Sequence, residues 1–114
     1  MYNYKAIITE VVDGDTVTAR VDLGFSIERT DRFRLYGINA PEMKLDTKIA
    51  GEASKARLTE LLLNKEVFIY THKDKREKYG RYLATIFTAD PSKGDIGSVN
   101  DIMVKEGHAK PYMV

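Results

Sequence analysis

Three alternating runs of apolar residues, separated by glycine-centred breaks, occupy the first 38 positions and leave an antiparallel meander as the natural fold for this half of the chain. The run from Tyr4 to Val12 is rich in β-branched residues (Ile7, Ile8, Thr9, Val11, Val12) and reads as a strand. Asp13-Gly14-Asp15 is a turn signal. From Thr16 to Leu23, residues Val17, Ala19, Val21 and Leu23 fall on one face of a second strand. Gly24 marks the next turn. Phe25 to Ile38 then reads as a long third strand, bent or bulged in its polar middle, Glu28 to Arg32.

The pattern breaks at Asn39-Ala40-Pro41-Glu42, because Pro41 has no N–H to give a strand ladder. After a polar loop from Met43 to Lys48, the spacing predicts a helix over Ala50 to Leu63, with Ala50, Ser54, Leu58, Leu61 and Leu62 on its inner face. A fourth strand is expected over Glu66 to His72, a charged loop over Lys73 to Gly80, and a fifth strand over Arg81 to Thr88. Ala89 to Gly97 reads as a loop. Ser98, with Asp101 three residues on, caps a short second helix whose Val99, Ile102 and Met103 face inward and which Gly107 ends. The order β-β-β-α-β-β-α, with a helix between the third and fourth of five strands, is that of an OB barrel, a mainly β fold with α. At 114 residues, positions 1–114 are expected to form a single domain.

The chain has no cysteine, which excludes disulfides and thiolate metal sites. A bound metal must use oxygen donors or histidine, and His72 and His108 have no ligand spacing between them. Net charge is +1, too small to indicate a polyanionic partner by itself. Its distribution is uneven: residues 44–81 hold ten Lys/Arg against six Asp/Glu, whereas residues 1–43 hold five against seven. The N-terminal residues run straight into a strand pattern and lack the apolar stretch of a secretory signal, so the expectation is a cytoplasmic chain, a leader removed beforehand leaving no trace.

Three short motifs carry chemistry. Asp13-Gly14-Asp15-Thr16 brings two carboxylates to one turn, where they can hold a hard cation, although Asp-Gly is also a common hairpin turn. The segment from Arg34 to Asn39-Ala40-Pro41-Glu42 puts an arginine in a strand and polar groups at its end, where rigid backbone aims side chains. Lys78-Tyr79-Gly80-Arg81 offers two cations and an aromatic ring around a glycine, suited to phosphate, or simply a basic loop tip.

Taken in chain order, Val12-Asp13-Gly14-Asp15-Thr16, Phe33-Arg34-Leu35 with Pro41-Glu42, and Lys78-Tyr79-Gly80-Arg81 resemble the thermonucleases, the staphylococcal nuclease-like domains, and the likeness runs on to Gly107 and Ala109-Lys110. The resemblance implies a five-stranded OB barrel and calcium-dependent hydrolysis of DNA and RNA to 5′-hydroxyl and 3′-phosphate ends. It implies Asp15 as a direct Ca²⁺ ligand, Asn39 where a second ligating aspartate stands in the family, the Ala40 carbonyl as a third donor, and Asp13 beside them. Glu42 resembles the general base toward water, and Arg34 and Arg81 the pair that grips the phosphate. Lys78, Tyr79 and Tyr112 resemble groups that contact nucleotide phosphates, Tyr112 in a segment one residue shorter than the family pattern. Two departures stand out. Asn39 removes a negative charge, which implies weaker calcium binding. Family members often continue into a third helix, and this sequence ends at Val114, so the expectation is either that the surface in question is polar here or that a second subunit covers it in a homodimer. The competing readings are a nucleic-acid- or protein-binding OB module with little or no catalysis, and a structural OB domain.

Overall fold

The computed structural model describes residues 2–76 and 78–112, the side chains of 72–76 excepted. Five strands close into a barrel: β1 (Tyr2–Asp13), β2 (Thr16–Asp22), β3 (Glu28–Leu35), β5 (Glu66–Arg76) and β6 (Tyr82–Phe87). Around the barrel the order is β1-β2-β3-β6-β5, and β5 returns to β1. All pairs are antiparallel except β3 with β6. A separate two-stranded ribbon joins β4 (Ile38–Asn39) to β7 (Lys110–Pro111). The helices are α1 (Lys48–Leu62) and α2 (Val99–Lys105). This is the OB-like barrel expected from the element order.

Alternation along the strands fills the interior. Ile8, Val17, Ala19, Leu35, Val67, Ile69, Ala84 and Ile86 are fully buried in one cluster that also takes in Leu58 and Leu62 of α1 and Val99 and Met103 of α2. Each large aliphatic side chain so buried contributes about 1.5–3 kcal/mol over its exposed state. Helix α1 packs on β1, α2 packs on β6, and the two helices touch. Among the described residues no helix is long and apolar enough to cross a membrane.

Several boundaries differ from the sequence reading. The third strand does not begin at Phe25: Phe25 (φ 55°) and Ser26 (φ 61°) lie in the left-handed region at the tip of the β2–β3 hairpin, with Phe25 98% exposed. Nor does it run to Ile38, because the chain turns at Tyr36–Gly37 and resumes as β4. Helix α1 begins at Lys48, and Ala50 is exposed; the buried positions are Gly51, Ser54, Leu58 and Leu62. The stretch Lys73–Arg76, expected as loop, continues β5. Ile102 is half-buried, beside a residue the apolar pattern overlooks. Asn100 is 3% exposed, accepts from the N–H of Ile86, and donates to the carbonyls of Tyr36 and Ala84. It ties α2 to β6 and to the turn that launches β4, and so helps set where the polar end of β3 sits.

Candidate active site

The β1–β2 turn is built on Asp13. Its Oδ1 accepts from the N–H of Asp15 at 3.2 Å, a local carboxylate-to-backbone bond that substitutes for ladder pairing. Gly14 is needed for a different reason. A Cβ on it would lie 1.9 Å from Ser54 Oγ and 2.8 Å from the Cβ of Ala40, so the bare backbone is what lets the turn, α1 and the strand end meet. Gly14→Ala is expected to destabilise the fold by about 1–3 kcal/mol through overpacking. Urea denaturation gives the check, and an unchanged midpoint would mean the contact yields freely.

Asp15, 5% exposed, sits at the centre. Its Oδ2 accepts from the N–H of Ala40 at 2.9 Å and lies 3.6 Å from Arg34 Nη1. Its Oδ1 accepts from the Thr16 hydroxyl at 3.1 Å, and that hydroxyl accepts from Arg81 Nη1 at 3.1 Å. Two guanidinium groups are therefore linked to one buried carboxylate, Arg34 directly and Arg81 through Thr16. Arg34 Nη2 also donates to the carbonyl of Ile38 at 2.9 Å and to Asn39 Oδ1 at 3.1 Å. A planar fork with five N–H groups can make all these contacts at once. Thr16 is the link that sequence reasoning passed over, although it ends the Asp-Gly-Asp-Thr motif.

Glu42 stands on the loop between β4 and α1. Its carbonyl accepts from Thr47 Oγ1 at 2.6 Å, and Gly51 of α1 comes so close that a Cβ would meet that same oxygen at 2.9 Å. The backbone at Glu42 is thus held while the side chain stays 65% exposed, paired with the Lys44 ammonium at 2.7 Å. That hydrogen bond raises the Lys44 pKa above the ordinary lysine value.

A cleft of about 510 Å³ is lined by Asp13, Asp15, Asn39, Ala40, Pro41, Glu42, Tyr79 and Arg81, together with Arg34 and one arginine not anticipated, Arg32. Arg32 could have been found from the period of two along β3, which puts it on the same face as Arg34. Lys78 and Tyr112 do not line the cleft. Lys78 Nζ lies 5.0 Å from the centre of the Tyr79 ring, and the Arg81 guanidinium 5.3 Å from it. The Tyr112 ring lies 5.5 Å from the Arg34 guanidinium, brought there by β7 and by its N–H on the Gly37 carbonyl at 2.7 Å. The side chain of His72 is outside the described residues, and His108 offers its carbonyl to Ser54 Oγ.

The donors for a cation are all hard oxygens: the carboxylates of Asp13 and Asp15, the Asn39 amide oxygen and backbone carbonyls. Among the described residues no three Asp, Glu, His or Cys side chains converge. Asp13 feels both burial and the neighbouring carboxylate of Asp15. Burial, then the hydrogen bond and charge of Asp15, push its carboxyl up to about 6. Because the folded chain then holds this proton more tightly than the unfolded chain, its contribution to stability is greatest below about pH 4 and is lost as pH rises through about 6. Asp13→Asn keeps an oxygen for the Asp15 N–H and removes the charge. Without metal it is expected to gain about 1 kcal/mol at neutral pH, a figure reduced for the partial exposure of the group, and nothing near pH ~4. Thermal melts at the two pH values test this; an equal gain at both would reject the charge explanation.

Residues 32–114 match the family model described as staphylococcal nuclease homologue. The chain is 30% identical, over 97% of its length, to an uncharacterized protein of Methanocaldococcus jannaschii, and covers 60% of that protein. It is 29% identical, over 91% of its length, to a thermonuclease of Staphylococcus intermedius, and covers 57% of it. The chain thus spans a little over half the length of each of these relatives.

Proposed function

Because this chain belongs to the family of staphylococcal nuclease homologues, we propose that it is a calcium-dependent nuclease hydrolysing phosphodiester bonds of single-stranded DNA or RNA. The observation that carries this reading is the cleft where Arg34, Arg81 and Glu42 surround one space beside Asp15.

Arg34 and Arg81 grip the non-bridging oxygens of the scissile phosphate, for which guanidinium forks are well shaped. Both are already oriented, Arg34 by Asp15 and Ile38, Arg81 by Thr16. Their hydrogen bonds strengthen as charge builds on the phosphoryl oxygens, and one such donor is worth about 2.7–4 kcal/mol of barrier. Glu42, exposed on a fixed loop, takes a proton from the attacking water. The new P–O bond forms as the P–O5′ bond breaks, and O5′ takes a proton from solvent as it leaves, giving a 3′-phosphate and a 5′-hydroxyl. Tyr79 lies beside Arg81 at the cleft wall, with Lys78 behind it, and Tyr112 covers Arg34; these three contact the flanking nucleotide phosphates.

Calcium suits the donors, which are all oxygen. Asp15, the Asn39 amide oxygen and the Ala40 carbonyl would hold it, with Asp13 alongside. When bound, it supplies positive charge and orientation to the phosphoryl group. With few carboxylates, binding is weak. Asn39→Asp is expected to tighten calcium on the order of tenfold, part of the gain being offset by stronger pairing with Arg34. Titration calorimetry showing no gain would remove Asn39 from the ligand set.

Incubating single-stranded DNA and RNA with the protein and calcium, then with a chelator, tests the function. Cleavage that stops with the chelator is the expected result. Binding without cleavage under every divalent ion would instead establish a non-catalytic module.

A further inference from the structure

We propose that Arg32 forms a second phosphate subsite in the cleft, one nucleotide away from the scissile phosphate, so that the site favours strands carrying several phosphates over single phosphodiesters. This rests on the nuclease reading above and adds to it a preference for substrate length.

The other two arginines lining the cleft are engaged, as is Lys44 beside it. Arg34 is held by Asp15, Ile38 and Asn39, Arg81 by Thr16, and Lys44 by Glu42. Arg32 lines the same cleft, is exposed, and has no hydrogen bond or ion pair from its side chain among the described residues; only its backbone N–H is used, toward Asp31 Oδ1. On the neighbouring strand Arg32 stands opposite Thr18, whose hydroxyl donates to Glu10 of β1.

Strand geometry then fixes the spacing. Arg32 and Arg34 are two residues apart on one face of β3, about 6.6 Å along the strand, close to one nucleotide of extended single strand. On the other side, β3 runs parallel to β6 with Phe33 paired to Tyr82, and Arg81, the residue before Tyr82, lines the same cleft as Arg32. Three guanidinium groups therefore line one cleft with three carboxylates, of which Asp15 serves Arg34 and Arg81, Asp13 holds the Asp15 N–H and Glu42 pairs with Lys44. An exposed guanidinium with no carboxylate paired to it is well placed to meet a polyanion laid across the cleft. A strand held by Arg34 and Arg81 at the scissile phosphate would bring its adjacent phosphate to Arg32.

The test compares Arg32→Ala with the unaltered protein on a dinucleoside monophosphate, which has one phosphate, and on a decanucleotide. The loss should grow with phosphate number: KM for the decanucleotide rises about tenfold, with kcat little affected, and the dinucleoside substrate loses far less. The salt dependence of decanucleotide binding, measured with chelator so that no cleavage is needed, should flatten by about 0.7 in the log–log slope, the weight of one phosphate on a single strand. Arg32→Lys should recover the slope. Equal losses on both substrates, or a fall confined to kcat, would place Arg32 at the scissile phosphate and overturn the subsite; an unchanged slope would overturn it too. Should the unaltered protein bind the decanucleotide without cutting anything, the nuclease reading fails while the slope still decides on Arg32.

Discussion

Glu42→Gln is expected to lower kcat on single-stranded DNA by about 10²–10⁴-fold, the usual range for a lost general base. The substitution keeps shape and removes the ability to accept a proton. Folding should not suffer: the carboxylate is 65% exposed and its ion pair with Lys44 lies in solvent, so stability should hold within about 0.5 kcal/mol. Substrate binding should hold as well, because Glu42 repels phosphate rather than gripping it. The decisive comparison is therefore kcat against Tm on one preparation. A variant that cuts at near the original rate would mean that another group, or solvent, accepts the proton.

Arg34→Ala should fail in two separable ways. Catalysis should drop by about 10²–10³-fold, the cost of removing one donor aimed at transition-state charge. Stability should also fall, by about 1–3 kcal/mol, because the Asp15 side chain, 8% exposed, loses its nearest cation and the Ile38 carbonyl loses a donor. Arg34→Lys discriminates between the two losses. A lysine can restore charge near Asp15, and with it part of the stability, yet it cannot span Asp15, Ile38 and a phosphate together. Urea denaturation beside steady-state kinetics would show the lysine variant more stable than the alanine variant and nearly as inactive. An alanine variant as stable as the original would show that Arg34 is not what holds Asp15.

The barrel was legible because its determinants are local. Val17, Ala19 and Val21 alternate as an inward face must, and Asp13-Gly14 and Gly24 stand where the chain reverses. Where the reading strayed, an apolar pattern was mimicked or interrupted by geometry that sequence period does not encode. Leu23, Phe25 and Ile27 alternate like a strand but are all exposed around a hairpin tip with left-handed backbone at Phe25 and Ser26. In α1, Gly51 replaces Ala50 on the inner face because the helix must approach the backbone at Pro41 and Glu42 more closely than a side chain permits. For the cleft, motif recognition picked out Asp15, Arg34, Asn39, Glu42 and Arg81, whose proximity is set by strand register. The hydroxyl link through Thr16 and the position of Arg32 depend on which strands become neighbours, and that emerges only when β3 meets β6.

The central claim is that one phosphorus atom sits among Arg34, Arg81 and Glu42 while water attacks it. Cleavage of a single-stranded DNA in heavy-oxygen water, with mass analysis of the ends, tests this most directly. The account predicts one heavy oxygen in a new 3′-phosphate, a free 5′-hydroxyl, and no product once calcium is chelated. Ends bearing a 5′-phosphate, or cleavage indifferent to the chelator, would contradict it.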